Sequence, residues 1–395
     1  MINDMVDWQQ AIAHTAHDVE QHFDKLSFRL KKRLGINDPL QVLPYLGYGT
    51  KNLLRFRGRV LEDEGITKAS DRDTTWHNLL NMYKRLESDE VPGAKVRVVF
   101  NEQETEVVAD EEGYFLVELP LKQPLAKEAY WQEVNLELVE PKSKKQSDVT
   151  AVAKVLIPPE KADFGIISDI DDTILQTHAF DWLQMARLVF LDNARTRLPF
   201  LGVASFYQAL QKGAKGESNN PIFYVSSSPW NFFDLLQEFI ELNEIPIGPL
   251  LLRDYGLSQE DPFADGHESH KLSKIKPILE LYTDLSFILI GDSGQKDPEI
   301  YTQVVKDYPG RILAIYIRDV TTSASRQEAI NKLATEVSSL GSELILVPDT
   351  VSAAKDAIEK GLIPAISLPA IEAQKEEDAK EPGELEQLLS VNNDQ

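Results

Sequence analysis

The 395-residue chain has no cysteine. Disulfides, thiolate metal sites and cysteine nucleophiles are therefore excluded, and a reducing compartment fits. No apolar run approaches the roughly 18 residues that a membrane span needs. No N-terminal stretch has the charged-then-apolar form of a signal peptide, so a soluble, cytoplasmic protein is expected. Positive charge is scarce too. Lys and Arg number 41 against 64 Asp and Glu, a formal net charge of −23. A nucleic-acid backbone needs a cationic face, so no nucleic-acid partner is expected. Composition says nothing of the oligomeric state.

What is present is enough apolar material for packed cores, 42% of residues. At roughly 100–200 residues per domain, the length suits two or three domains. Residues 1–37 read as an N-terminal helical arm. Trp8, Ile12, Val19, Phe23, Leu26, Leu30 and Leu34 form one amphipathic stripe over 5–35. Its basic end, 29–33, suits the helix dipole first, and second a peripheral contact with an anionic membrane surface. Residues 38–160 read as a small, antiparallel β-sandwich-like module. Its strands fall at 53–61, 95–100, 106–109, 114–119, 134–138 and 150–156, with a turn at 110–113 and a helical insertion at 71–86.

After Pro158 and Pro159 the pattern changes. Short apolar runs at 164–168, 222–225, 250–252, 287–290, 312–317 and 344–347 alternate with helical stretches. That alternation predicts an α/β domain over 161–365, a doubly wound parallel sheet covered on both faces. Residues 366–395, rich in acids, Lys and Gln, read as an acidic, disordered tail.

Four motifs in this domain carry chemistry. DIDDT (169–173) follows a buried-type strand, and carboxylates crowded at such a place need a cation or a proton to offset them. Ligands of parallel α/β sheets bind beyond the carboxyl ends of the strands. YVSSSPW (224–230) puts small hydroxyls and backbone N–H groups where a phosphate oxygen fits. Ser226, Ser227 and Ser228 are interchangeable by sequence, with Ser226 first after the strand. His270-Lys271 opens a helix, and Lys271 is a compact cation; Lys274 and Lys276 compete with it. IGDSGQKDPEIY (290–301) ends a strand in Asp292, with Asp297 five residues on.

This order resembles the motifs of the haloacid dehalogenase superfamily. More narrowly it resembles the actin-patch-protein family of magnesium-dependent phosphatidate phosphatases, as do RTRLPFLGVASFYQAL (195–210) and GRILAIYIRDV (310–320). The resemblance covers about 163–320. It implies a haloacid dehalogenase-like sheet, a Mg²⁺ cofactor and hydrolysis of phosphatidate, a phospholipid, to diacylglycerol and phosphate. Asp169 is then the nucleophile, forming an aspartyl-phosphate, and Asp171 the proton donor and acceptor. Asp169, the backbone carbonyl of Asp171 and Asp292 hold the metal. Ser226 or Ser227 and Lys271 hold the phosphoryl oxygens. Asp297 acts on the ion indirectly or through water, and Thr173 braces the loop. Neither segment 174–220 nor 255–270 reads as a large folded cap, although 255–270 suits a short lid, and an open site fits a bulky substrate such as a lipid head group or a phosphoprotein.

Other readings are weaker. An EF-hand loop starting at Asp169 would need Gly where Ile174 stands and Glu where Phe180 stands. A receiver domain would place its Lys last, whereas Lys271 precedes Asp292. Gly291-Asp292-Ser293-Gly294 evokes a serine protease, but no His–Asp partners accompany Ser293. His267 and His270 lack the further ligands of a zinc site. Trp230 suits either core packing or the edge of a cleft. A phosphoprotein or small-metabolite phosphatase, and a non-catalytic adaptor with a vestigial site, are the competing functions.

Overall fold

The computed structural model describes residues 39–63, 90–126, 129–142, 146, 148–171, 173–174, 200–253, 267–321 and 323–378. The helices expected at 5–35, 71–86 and 180–190, the basic run 29–33 and most of 255–270 lie outside them.

In the first module, side chains alternate in burial as a pleated strand requires. In β4 (Lys95–Phe100) Val96, Val98 and Phe100 are buried, while Lys95, Arg97 and Val99 are half-buried. Its neighbours are β5 (Gln103–Val108) and β7 (Trp131–Glu140). With β1 (Leu40–Pro44), β2 (Gly47–Thr50), β3 (Leu53–Glu62), β6 (Tyr114–Pro120) and β8 (Thr150–Leu156) they form one eight-stranded sheet. Its order is β1-β3-β2-β8-β7-β4-β5, with β6 on β3. The expected sandwich is thus one continuous hydrogen-bonded sheet around a core that includes Leu54, Phe56, Val98, Leu136 and Val155. The pairing is antiparallel except between β2 and β8. Sequence patterning missed β1 and β2 because Pro44, Gly47 and Gly49 interrupt the alternation. At the expected turn, Asp110 Oδ1 accepts the N–H groups of Glu112 and Tyr114, both at 2.9 Å. Gly113 there has φ +77°.

The second part is a six-stranded parallel sheet. Its strands are β9 (Gly165–Ser168), β10 (Ile222–Pro229), β11 (Leu250–Arg253), β12 (Phe287–Asp292), β13 (Ile312–Arg318) and β14 (Leu344–Val347). They run in the order β11-β10-β9-β12-β13-β14. Alternate side chains serve two cores. Ile166, Ile288 and Tyr316 face α1 (Val203–Lys212), α2 (Phe233–Leu242), α6 (Thr350–Glu359) and α7 (Leu368–Asp378). Ile167, Leu289 and Ile315 face α3 (His267–Leu281), α4 (Asp297–Asp307) and α5 (Ala324–Ser339). The chain leaves β9 toward β10 but leaves β12 toward β13. The crevice between β9 and β12 is therefore the topological switch point, where such sheets bind ligands.

One expectation needs correction. Residues 368–378 are helical, not a disordered tail. Ile371 is fully buried, and α7 supplies partners that α1 lacks at its Gly202 N-terminus. Asp378 accepts the Gly202 N–H at 2.7 Å, and Gln374 accepts the Ser205 N–H at 2.8 Å. Lys375 pairs with Asp349 at 2.6 Å. A helix docked by one apolar residue and a few polar ones looks like a solvated tail in composition. Residues 379–395 lie outside the described residues. The β module packs against the α/β domain. Tyr45 stacks on Trp230 at 4.5 Å and packs on Phe233 at 4.4 Å. Tyr48 meets Phe223 edge-on, and Tyr282 donates to the Gly49 carbonyl at 2.9 Å.

Candidate active site

The acidic motif follows directly from β9. The Asp169 N–H donates to the Ile290 carbonyl at 2.9 Å, so the pairing continues past the strand and sets Asp169 beside the end of β12. Asp292 is the last residue of β12. One of its oxygens, Oδ1, accepts the N–H groups of Gly294 and Gln295 at 2.6 and 2.8 Å. Asp297 opens α4 and leans back over the strand end, accepting the Asp292 N–H at 3.2 Å. A Cβ on Gly291 would fall 2.4 Å from Asp297 Oδ2, so only glycine permits that approach. From the same face of the sheet the neighbouring α3 delivers Lys271. Its Nζ lies 2.5 Å from Asp297 Oδ1 and 3.0 Å from Asp169 Oδ1.

Asp169, Asp292 and Asp297 each offer an oxygen within 4.8 Å of the other two. All three residues are fully buried, and Lys271 is 1% exposed. Burial pushes the Asp169 carboxyl well above its ordinary range; Asp297, Asp171 and Asp292 add to the rise and Lys271 opposes it. Burial and then Asp297 raise Asp292 to about 7, against the pull of the Gln295 and Gly294 N–H groups and Lys271. Burial disfavours the Lys271 ammonium, but Asp169 and Asp297 outweigh it and hold the pKa above its usual value. One ammonium thus faces three carboxylates, and the site is short of positive charge. Asp292 Oδ2 is buried with no hydrogen-bond partner among the described residues. A set of carboxylate oxygens with one left unpaired suits a hard divalent cation.

Asp171 stands apart from this cluster. Its Oδ2 accepts from Ser226 Oγ at 2.8 Å and from Ser228 Oγ at 3.3 Å. Its Oδ1 is buried and has no hydrogen-bond partner among the described residues. Ser226, the first choice for phosphate by sequence, here gives its hydroxyl to Asp171. Ser227 Oγ is buried without a partner among the described residues. Thr173 Oγ1 reaches Asp169 Oδ2 at 3.5 Å. Asp297, expected to act indirectly, has its carboxylate in the cluster itself.

The competing candidates fall elsewhere. Lys276 pairs with Asp307 at 3.0 Å. Ser293 Oγ accepts the Val320 N–H at 2.9 Å and donates to Asp319, shaping the turn. Trp230 is buried and stacks on Tyr45. His270 is half-buried, and the side chains of His267 and Asp172 lie outside the described residues. Sequence reasoning missed Arg326. Its Nε donates to the Ser293 carbonyl at 2.8 Å and its Nη2 to the Gln295 carbonyl, while it pairs with Glu299. It fastens the loop between Asp292 and Asp297, and no spacing in the sequence links position 326 to them.

Residues 164–319 match the family described as "Phosphatidate phosphatase APP1, catalytic domain". Over 162 residues the chain is 38% identical to Phosphatidate phosphatase APP1 of Saccharomyces cerevisiae, covering 41% of this chain and 27% of that protein. Over 222 residues it is 28% identical to the uncharacterized protein C29B5.04c of Schizosaccharomyces pombe, covering 55% and 35% respectively. The chain therefore spans well under half the length of these two relatives. A carbohydrate acetylesterase of Xanthomonas citri shares 12% identity at a TM-score of 0.31, covering 76% of this chain and 66% of its own. That likeness is too low to bear on the fold. No helix among the described residues is long and apolar enough to cross a membrane.

Proposed function

We propose that this protein hydrolyses a phosphomonoester, phosphatidate above all, through an aspartyl-phosphate on Asp169. The observation that carries the reading is the partition of the acids. Asp169, Asp292 and Asp297 crowd around Lys271 at the switch point, while Asp171 is held apart by hydroxyls. The APP1 catalytic-domain match supports phosphatidate as substrate. The parallel sheet and motif order support a haloacid dehalogenase-type domain.

A carboxylate oxygen of Asp169 attacks phosphorus, and the bond to the leaving alkoxide oxygen breaks with its electron pair. Asp171 gives that oxygen its proton. In the second step Asp171 takes a proton from water, whose oxygen attacks phosphorus, and the electron pair of the breaking acyl-phosphate bond returns to Asp169. Lys271 and the Ser227 hydroxyl hold the phosphoryl oxygens. A magnesium ion held by Asp169, Asp292 and the Asp171 carbonyl, with Asp297 beside it, would screen an anionic nucleophile from an anionic substrate. Phosphatidate is embedded in membranes, so the reading puts the reaction at a lipid surface, on its cytoplasmic side.

The test is phosphate release from phosphatidate in detergent micelles, beside phosphopeptides, nucleotides and sugar phosphates, in Mg²⁺ and in EDTA. Release from phosphatidate in Mg²⁺, absent in EDTA, is expected. Turnover of soluble esters with none of phosphatidate would overturn the lipid reading.

A further inference from the structure

We propose that Ser228, together with Ser226, is a positioning residue that orients Asp171 so that Oδ1 alone carries the transferred proton. The inference rests on the aspartyl-phosphate reading above. Three serines follow one another at the end of β10, and the backbone gives them different tasks. Ser226 and Ser228 share a side of the chain, as alternate residues of an extended strand do. Both donate to one oxygen of Asp171, Oδ2. The Ser228 N–H donates to Ser226 Oγ at 2.9 Å. That bond occupies an acceptor position on Ser226 Oγ and leaves its single hydrogen for Asp171. Ser227, on the other side, has the buried hydroxyl with no partner among the described residues.

The chemical consequence is directional. A carboxyl group that exchanges a proton with the leaving oxygen, then with water, must present the same oxygen twice. With Oδ2 filled by two hydroxyls, Oδ1 is the atom left to hold the proton. The same two bonds keep the carboxyl turned from the cluster of Asp169, Asp292 and Asp297. Without them the side chain could rotate toward the metal-binding oxygens and lose its role as acid. The clamp has a firm back. Pro229 and Trp230 follow Ser228, and Trp230 is stacked on Tyr45 of the β module.

The test compares Ser228→Ala and the near-isosteric weak donor Ser228→Cys with the wild-type chain on two substrates. Dioctanoyl phosphatidate has an alkoxide leaving group that needs a proton. p-Nitrophenyl phosphate has a leaving group stable without one. The parameter is kcat/KM, which covers steps up to departure of the leaving group. Both variants should lose roughly tenfold on phosphatidate, the effect of one charge-assisted hydrogen bond, and less than about threefold on the aryl ester. Ser228→Thr, which keeps the hydroxyl, should restore the phosphatidate rate. Equal losses on both substrates, or no loss in a folded Ser228→Cys chain, would overturn the assignment. A wild-type chain that turns over neither ester removes the aspartyl-phosphate reading and this inference with it. A wild-type chain active on both, with unselective variants, removes only the inference.

Discussion

Asp292 should make the metal-free protein lose stability as pH rises, and a divalent cation should reverse the trend. Its carboxyl titrates near 7 in the fold against an ordinary 3.8, because burial and Asp297 disfavour the charge. A group whose pKa is raised by folding binds more protons folded than unfolded. Its contribution is complete below about pH 4 and is lost as pH rises through about 7. At about 1.36 kcal/mol per pH unit, that gap is worth about 4 kcal/mol, an upper bound because Asp169 competes for the same neutralisation. Cation binding needs the deprotonated carboxylates, so stabilisation by Mg²⁺ should grow from pH 5 to pH 8. The assay is thermal unfolding across that range, in EDTA and in Mg²⁺, for the wild-type chain and Asp292→Asn. The amide cannot titrate. The variant's Tm in EDTA should therefore fall less with pH, and Mg²⁺ should raise it little. Identical pH slopes for the two proteins in EDTA would refute the reasoning, as would equal Mg²⁺ stabilisation at pH 5 and pH 8.

Three further outcomes follow from the same geometry. Lys271→Met leaves the buried carboxylates without their ammonium and should cost about 3–5 kcal/mol, read by urea unfolding in EDTA. Arg326→Ala releases the Ser293 and Gln295 carbonyls, so Mg²⁺ affinity by calorimetry should fall while phosphate release at saturating Mg²⁺ changes little. Tyr45→Ala removes a ring packed on Trp230 and Phe233 and should destabilise the chain by about 3–5 kcal/mol in denaturant titration, although position 45 lies outside the α/β domain.

Much of the α/β half was legible in the sequence. Strands such as 222–225 and 312–317 are unbroken apolar runs, as a sheet buried on both faces requires. The acids and Lys271 were legible because charges beside such runs conflict with burial and need a reason. Residues 40–50 were less legible, since Pro44, Gly47 and Gly49 interrupt the alternation and β2 pairs with the distant β8 as well as with its neighbour β3. The helix at 368–378 has only Ile371 fully buried, too little apolar signal to stand out from an acidic tail. The serines show a further limit. Spacing located the triplet, but which hydroxyl faces Asp171 depends on strand pleat and on a bond from the Ser228 N–H. Arg326 acts across 33 and 31 residues of sequence, on Ser293 and Gln295 of a loop it does not border.

The most direct test of the central claim is chemical trapping on Asp169. An acyl phosphate is reduced by borohydride, converting the aspartyl residue to homoserine. Quenching the enzyme during turnover of phosphatidate, reducing it and mapping the peptides should find homoserine at position 169 only, and only when substrate was present. Phosphate release without conversion at Asp169, or with conversion at another carboxylate, would contradict the account.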